Sequence, residues 1–193
     1  MAIPKNVATI AVLITLTASG CTQPDPNAKP TYTCTPSDGG TPRPCYKAEY
    51  ELQTKEDALY AEAEAVYRKY IAEDERIYRA GGVTAATPTL TATLTGPALT
   101  QALDTYRDVA ATSTRAVGGA FKIRYLHRAP QSIRAGSVAA VEACIDSTSV
   151  VFRSTTSNGP GGIGLERSQF SLTPNGLRIS DFDHFEGTVT SCE

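Results

Sequence analysis

The chain has 193 residues, 41% of them hydrophobic, with 18 Lys and Arg against 20 Asp and Glu for a formal net charge of -2. That length suits one domain with a sizeable core and is too short for two comfortable ones. The charges are mixed and no basic run occurs, so nucleic acid is not an expected partner.

Met1 to Asn6 carry one positive charge, Lys5, and Val7 to Leu16 form an apolar segment. It is shorter than the ~20 residues of a permanent membrane-spanning helix. This is the pattern of an export signal. Small residues at Ala18, Ser19 and Gly20 precede Cys21, and the run resembles the lipobox of bacterial lipoproteins in a permissive form, with Ala18 where Leu is usual. The resemblance implies a signal peptide over residues 1–20, lipid transfer to the Cys21 sulfur, cleavage after Gly20, and acylation of the new amino group by a fatty acid such as palmitate. Two or three chains anchor a protein stably where one is marginal. The expected location is therefore the outer face of the cytoplasmic membrane, with the membrane as partner through Cys21. Plain secretion, with Cys21 an ordinary thiol, is the alternative.

Removing Cys21 from the five cysteines leaves Cys34, Cys45, Cys144 and Cys192, an even number suited to an oxidising compartment. Of three pairings, the preferred one joins Cys34 to Cys45 and Cys144 to Cys192. The chain-entropy model assigns those loops about 3 and about 4 kcal/mol. Residues 21–45 read as a lipidated cysteine and a tether, because Pro24, Pro26, Pro30, Pro36, Pro42 and Pro44 are half of the 12 prolines. Such a segment is expected to be extended and to pack no core.

The folded domain is expected over 46–193. From Tyr46 to Arg79, Leu59, Ala63, Val66, Tyr67, Tyr70, Ile71, Ile77 and Tyr78 recur at steps of three and four. That spacing predicts one long helix, firmest over 55–79, with Thr54 and Asp57 as a capping box and Gly81-Gly82 as the stop. Tyr50, Tyr60, Tyr67, Tyr70 and Tyr78 read as core or half-buried packing. Residues 83–94 are loop or a short weak helix. Thr95-Gly96-Pro97 opens a second amphipathic helix with Leu99, Leu103, Tyr106 and Ala110 inward, fading near Thr112.

After Gly118-Gly119 the period changes to two. Phe121, Ile123, Tyr125 and His127 alternate with Lys122, Arg124, Leu126 and Arg128, and further strands are predicted over 137–145, 150–152, 165–172 and 177–189. Thr173-Pro174-Asn175-Gly176 is the clearest turn, and Ser157-Asn158-Gly159-Pro160 opens a longer one. Helices first and antiparallel strands afterwards make an α+β domain, with the helices on one face of a curved sheet of about four strands.

The lipobox, the Pro-rich tether, the long helix, Leu-Thr-Gly-Pro-Ala-Leu at 94–99, Val-Glu-Ala-Cys-Ile-Asp at 141–146 and the terminal Thr-Ser-Cys together resemble actinobacterial lipoproteins with a nuclear transport factor 2-like domain. The resemblance covers roughly 46–192. It implies a cone in which a bent antiparallel sheet wraps around helices, with a pocket at the open end, and it favours a Cys144–Cys192 bridge. The fold hosts enzymes and pure binding modules alike.

Gly159-Pro160-Gly161-Gly162-Ile163-Gly164 satisfies G-x-G-x-x-G, but a strand follows it and Pro160 lacks an amide donor, so it reads as a hairpin loop and no cofactor is expected. With His127 and His184 the only histidines, no metal is expected. No Gly-x-Ser-x-Gly elbow occurs. One constellation stands out, Asp181-Phe182-Asp183-His184 in the last strand. Strict alternation puts Leu177, Ile179, Asp181 and Asp183 on one face, unless a bulge near Asp183 changes the parity. The resemblance implies what such groups do in ketosteroid isomerase and the polyketide cyclases, where a pocket carboxylate or histidine moves a proton on an apolar substrate. Asp181 or Asp183 would be the base, with Tyr125, His127 or His184 as its partner. The same carboxylates could instead be rim ion pairs with Arg124, Arg167 or Arg178. The reading adopted is a non-enzymatic binding or scaffold module of the cell envelope, whose partner is a protein or a small apolar ligand. The alternatives are that acid-base enzyme and a prophage-encoded superinfection-exclusion lipoprotein.

Overall fold

A helix of 34 residues, α1 (Lys47–Ala80), organises the chain, burying Tyr60, Ala63, Tyr67, Tyr70, Ile71 and Ile77 along one stripe. The computed structural model describes residues 29–36, 39–155, 157–184 and 189–192. The expected signal segment, Cys21 and residues 22–28 lie outside them. Among the described residues no helix is long and apolar enough to cross a membrane.

α1 begins eight residues before the firm part of its prediction, and the cause is tertiary. The Pro-rich segment, read as an extended linker, carries a hairpin of β1 (Tyr32–Cys34) and β2 (Arg43–Cys45) closed by the Cys34–Cys45 disulfide. Tyr32 stacks on Tyr50 at 5.0 Å, the Gln53 side chain accepts from the Thr35 amide at 3.1 Å, and Arg43 pairs with Glu49. These contacts hold the first turns of α1 against the hairpin. Thr54 is consequently inside the helix, its hydroxyl donating back to the Tyr50 carbonyl at 2.8 Å, and is not the predicted cap. The predicted stop is where Gly81 adopts a left-handed conformation and donates to the Ile77 carbonyl.

Gly82 follows at φ +87°, and a Cβ there would sit 2.4 Å from the Ala110 amide nitrogen. The absence of a side chain lets the chain leaving α1 press against the third helix. The undecided stretch before that helix contains α2 (Pro88–Thr93), capped by Thr87, whose hydroxyl accepts from the Leu90 amide at 3.2 Å. α3 (Gly96–Ala111) starts at the predicted Thr95-Gly96-Pro97. Its buried stripe is Ala98, Ala102, Tyr106 and Val109, one position round from the predicted leucines, and Leu99 and Leu103 flank it half-buried. Alanines at the contact let α3 lie close to the sheet.

The main sheet is antiparallel and four-stranded, β4 (Lys122–Arg128), β5 (Ala139–Asp146), β8 (Ile163–Thr173) and β9 (Gly176–His184) in that order. A second sheet of three short strands joins β3 (Arg115–Val117), β6 (Val151–Arg153) and β7 (Asn158–Pro160). β7 occupies the Asn158-Gly159-Pro160 stretch predicted as a turn, whereas 173–176 makes the predicted turn between β8 and β9. The helices cover one face of the main sheet, and Val141, Ala143, Phe170, Leu177 and Ile179 meet the α1 tyrosines there. The domain is thus α+β, with a long helix packed on antiparallel sheet.

Two one-residue bulges break the alternation. In β4 the register shifts between Ile123 and Tyr125, leaving Arg124 unpaired in the ladder, and in β9 it shifts so that Ser180 is the extra residue. Beyond each bulge the faces exchange. Leu126 and Phe182 therefore turn into the core, and Arg128 lies 5.0 Å over the Tyr60 ring.

The second disulfide, Cys144–Cys192, ties β5 to the end of the chain across a sequence separation of 48. Replacing both cysteines by Ser should cost about 4 kcal/mol of stability on the chain-entropy model, with the hairpin bridge intact, as read by urea denaturation under non-reducing conditions.

Candidate functional site

Tyr70, Asp74 and Tyr78 are spaced by four on α1 and share one face of it. Tyr106 approaches from α3 and donates its phenol proton to Asp74 Oδ1 at 2.7 Å. Opposite them, Glu166 of β8 pairs across the ladder with Ala143, whose small side chain leaves room beside the carboxyl. Ser168 donates to Glu166 Oε1 at 3.1 Å. The Tyr67 hydroxyl faces the same carboxyl without a hydrogen bond of good geometry. Two cavities of about 250 Å³ each open on this group, and both are lined by Tyr70, Asp74 and Glu166. One continues between Tyr78, Tyr106 and Phe182. The other runs toward Phe121 and Ile145.

Burial raises both carboxyls to about 7. For Asp74 the Tyr106 hydrogen bond offsets part of that, and Glu75 adds repulsion. For Glu166 the Ser168 and Tyr67 hydroxyls offset part, and Asp74 adds repulsion. Tyr78 is pushed up to about 12 by burial and then by the Asp74 charge, and Tyr70 and Tyr106 are raised for the same two reasons. The phenols are therefore proton donors at neutral pH, and the two carboxyls sit between acid and base.

The bulges place the sequence candidates elsewhere. Asp181 and Asp183 lie past Ser180 on the face opposite Phe182, paired with Arg134 at 3.3 and 2.5 Å. Asp183 also accepts from the buried Gln169 side chain at 3.1 Å. They are the outer ion pairs weighed as the alternative, with a different arginine, since Arg124 binds Asp146 and Arg167 binds Glu142. Tyr125 and His127 lie past Arg124, also on the outer face, with rings stacked at 4.5 Å. The Tyr125 hydroxyl is 3.4 Å from Glu142. None of these four lines either carboxyl cavity. His184 ends β9, and its side chain lies outside the described residues, as do Phe185 and Glu186. The glycine-rich segment 159–164 joins β7 to β8, strand to strand. Among the described residues the one close group of His, Cys and carboxylate side chains is Cys34, Cys45 and Glu49, and its cysteines are spent on a disulfide.

The signal for Asp74 and Glu166 was in the periodicity. The apolar stripe of α1 passes from Tyr70 and Ile71 to Ile77 and Tyr78, and Asp74 fills the skipped turn. Glu166 and Ser168 are in alternating phase with Phe170 on the buried face of β8.

No protein-family model matches the chain, and no curated protein is similar enough to count as a relative. Among solved structures, the chain is similar to the crystal structure of the intermembrane space region of the chloroplast protein ARC6, with 17% identity over 65% of this chain and 95% of that one, at a TM-score of 0.47.

Because the folded state raises both carboxyl pKa values, it binds more protons than the unfolded chain between about pH 4 and 7. Their contribution to stability is complete below the unfolded values and is lost as pH rises through about 7. Each should cost roughly 2–4 kcal/mol by pH 8. Asp74→Asn with Glu166→Gln is expected to flatten the fall in urea-denaturation stability between pH 5 and 8.

Proposed function

We propose that the chain is a lipid-anchored envelope protein whose domain, a nuclear transport factor 2-like cone, binds a small ligand without transforming it. The observation that carries the binding reading is the pair of cavities meeting at Asp74 and Glu166. They are lined by aromatic rings with a few convergent polar groups, the usual make-up of a ligand site, although each is smaller than the ~300 Å³ typical for drug-sized molecules. The cone reading is supported by one long helix lying against a sheet whose two edge strands each carry a bulge, a feature that bends a strand.

The anchoring part rests on Cys21. With Cys34, Cys45, Cys144 and Cys192 joined in two disulfides, Cys21 is the fifth cysteine, and it stands directly after small residues and an apolar run. Cys21→Ser should move the mature protein from the membrane pellet to the soluble extracytoplasmic fraction. Equal membrane retention of the variant would overturn the anchor.

A second reading is favoured by one specific observation, the two carboxyls raised to about 7 beside raised phenols, an arrangement suited to proton transfer. The binding reading expects no turnover of a β,γ-unsaturated ketone, followed by absorbance of the conjugated enone. Turnover abolished by Asp74→Asn or Glu166→Gln would decide for an acid-base enzyme instead.

A further inference from the structure

The cavity between α1, α3 and β9 is faced by four rings, Tyr70, Tyr78, Tyr106 and Phe182, and by two carboxyls, Asp74 and Glu166. Among the described residues, no Lys, Arg or His lines it. The rings are mutually braced. Tyr78 meets Tyr106 edge to face at 6.1 Å and 84°, and Tyr70 meets Phe182 at 5.4 Å. Their π faces carry negative potential, which attracts a cation more strongly when water is excluded. An apolar neutral ligand would have no use for two carboxyls here, and an anion would be repelled by them.

Behind the cavity wall, the wholly buried Tyr67 turns its hydroxyl to the Glu166 carboxyl without a hydrogen bond of good geometry.

We propose that this cavity binds a small organic cation, an ammonium or quaternary ammonium group of few carbons, with its charge held by Asp74 and Glu166 and its alkyl surface against the four rings. The proposal rests on the binding reading above and names the ligand class for that site. The cavity volume of about 250 Å³ limits the guest to a compact molecule.

The groups facing the two carboxyls are Tyr67, Tyr70, Glu75 and Tyr78 of α1, Tyr106 of α3 and Ser168 of β8. None of these is a Lys, Arg or His; His184 pairs with Glu166 in the β8–β9 ladder, and its side chain lies outside the described residues. Binding a cation favours the ionised carboxyls and therefore releases protons. With both groups near 7, affinity should rise about tenfold between pH 6 and 8 for each proton released.

The test is titration calorimetry on the detergent-solubilised full chain with two probes of nearly equal shape, choline and its neutral isostere 3,3-dimethylbutan-1-ol. Choline is expected to bind at least tenfold more tightly than the isostere and to gain at least about tenfold in affinity from pH 6 to 8. Asp74→Asn and Glu166→Gln should each weaken choline at least tenfold and flatten its pH dependence. Both variants replace a half-buried carboxyl, and circular dichroism checks that they fold. Equal binding of the two probes would overturn the cation while leaving the ligand site standing. Choline binding unchanged in both variants would place it elsewhere and overturn the site assignment. No binding of either probe at millimolar concentration would overturn both.

Discussion

Everything inside this domain depends on where β4 and β9 depart from strict alternation in the sheet that packs against the 34-residue helix. Each takes up one extra residue, Arg124 in β4 and Ser180 in β9. A bulge bends the strand and exchanges its two faces. Phe182 is thereby delivered against Tyr70, and Arg128 covers Tyr60 and pairs with Asp57 at 2.5 Å. The same exchange carries Asp181, Asp183, Tyr125 and His127 to the outer face. Without the bulges, the two aspartates would enter an apolar core unpaired, at a cost of several kcal/mol each.

The interior that results is not uniformly apolar. Asp74 and Glu166 occupy positions whose phase calls for apolar side chains, and hydroxyls of Tyr106 and Ser168 are their hydrogen-bond donors. Neutral carboxyls satisfied by hydroxyls can be accommodated in such a place. Ionised ones need a counter-charge, which is the physical basis for the proposed coupling of protons to a cationic guest. The closeness of α3, made possible by Ala98 and Ala102 and by the bare backbone at Gly82, brings Tyr106 within reach of Asp74.

The hairpin changes where the folded body begins. Its cysteines are buried, and its contacts with Tyr50 and Gln53 extend α1 toward the N-terminus. Proline content alone argues for an extended chain. A disulfide across 11 residues, with an aromatic stack onto a helix, is a tertiary arrangement that composition does not report.

The residues by themselves determined the class of fold. The three-and-four spacing of tyrosines and aliphatics marks α1, Thr95-Gly96-Pro97 marks the start of α3, the glycine pair marks the stop of α1, and Thr173-Pro174-Asn175-Gly176 marks the β8–β9 turn, because each is a local property of a few neighbouring side chains. Which face a side chain takes past a bulge is not local. It depends on the partner strand's register, so alternation pointed to Asp181 and Asp183 where the bulged sheet turns them outward and Glu166 inward. Asp74 was legible only as a gap in a helical stripe, and its meaning required Tyr106 and Glu166, 32 and 92 residues away in the chain, to be brought against it by packing.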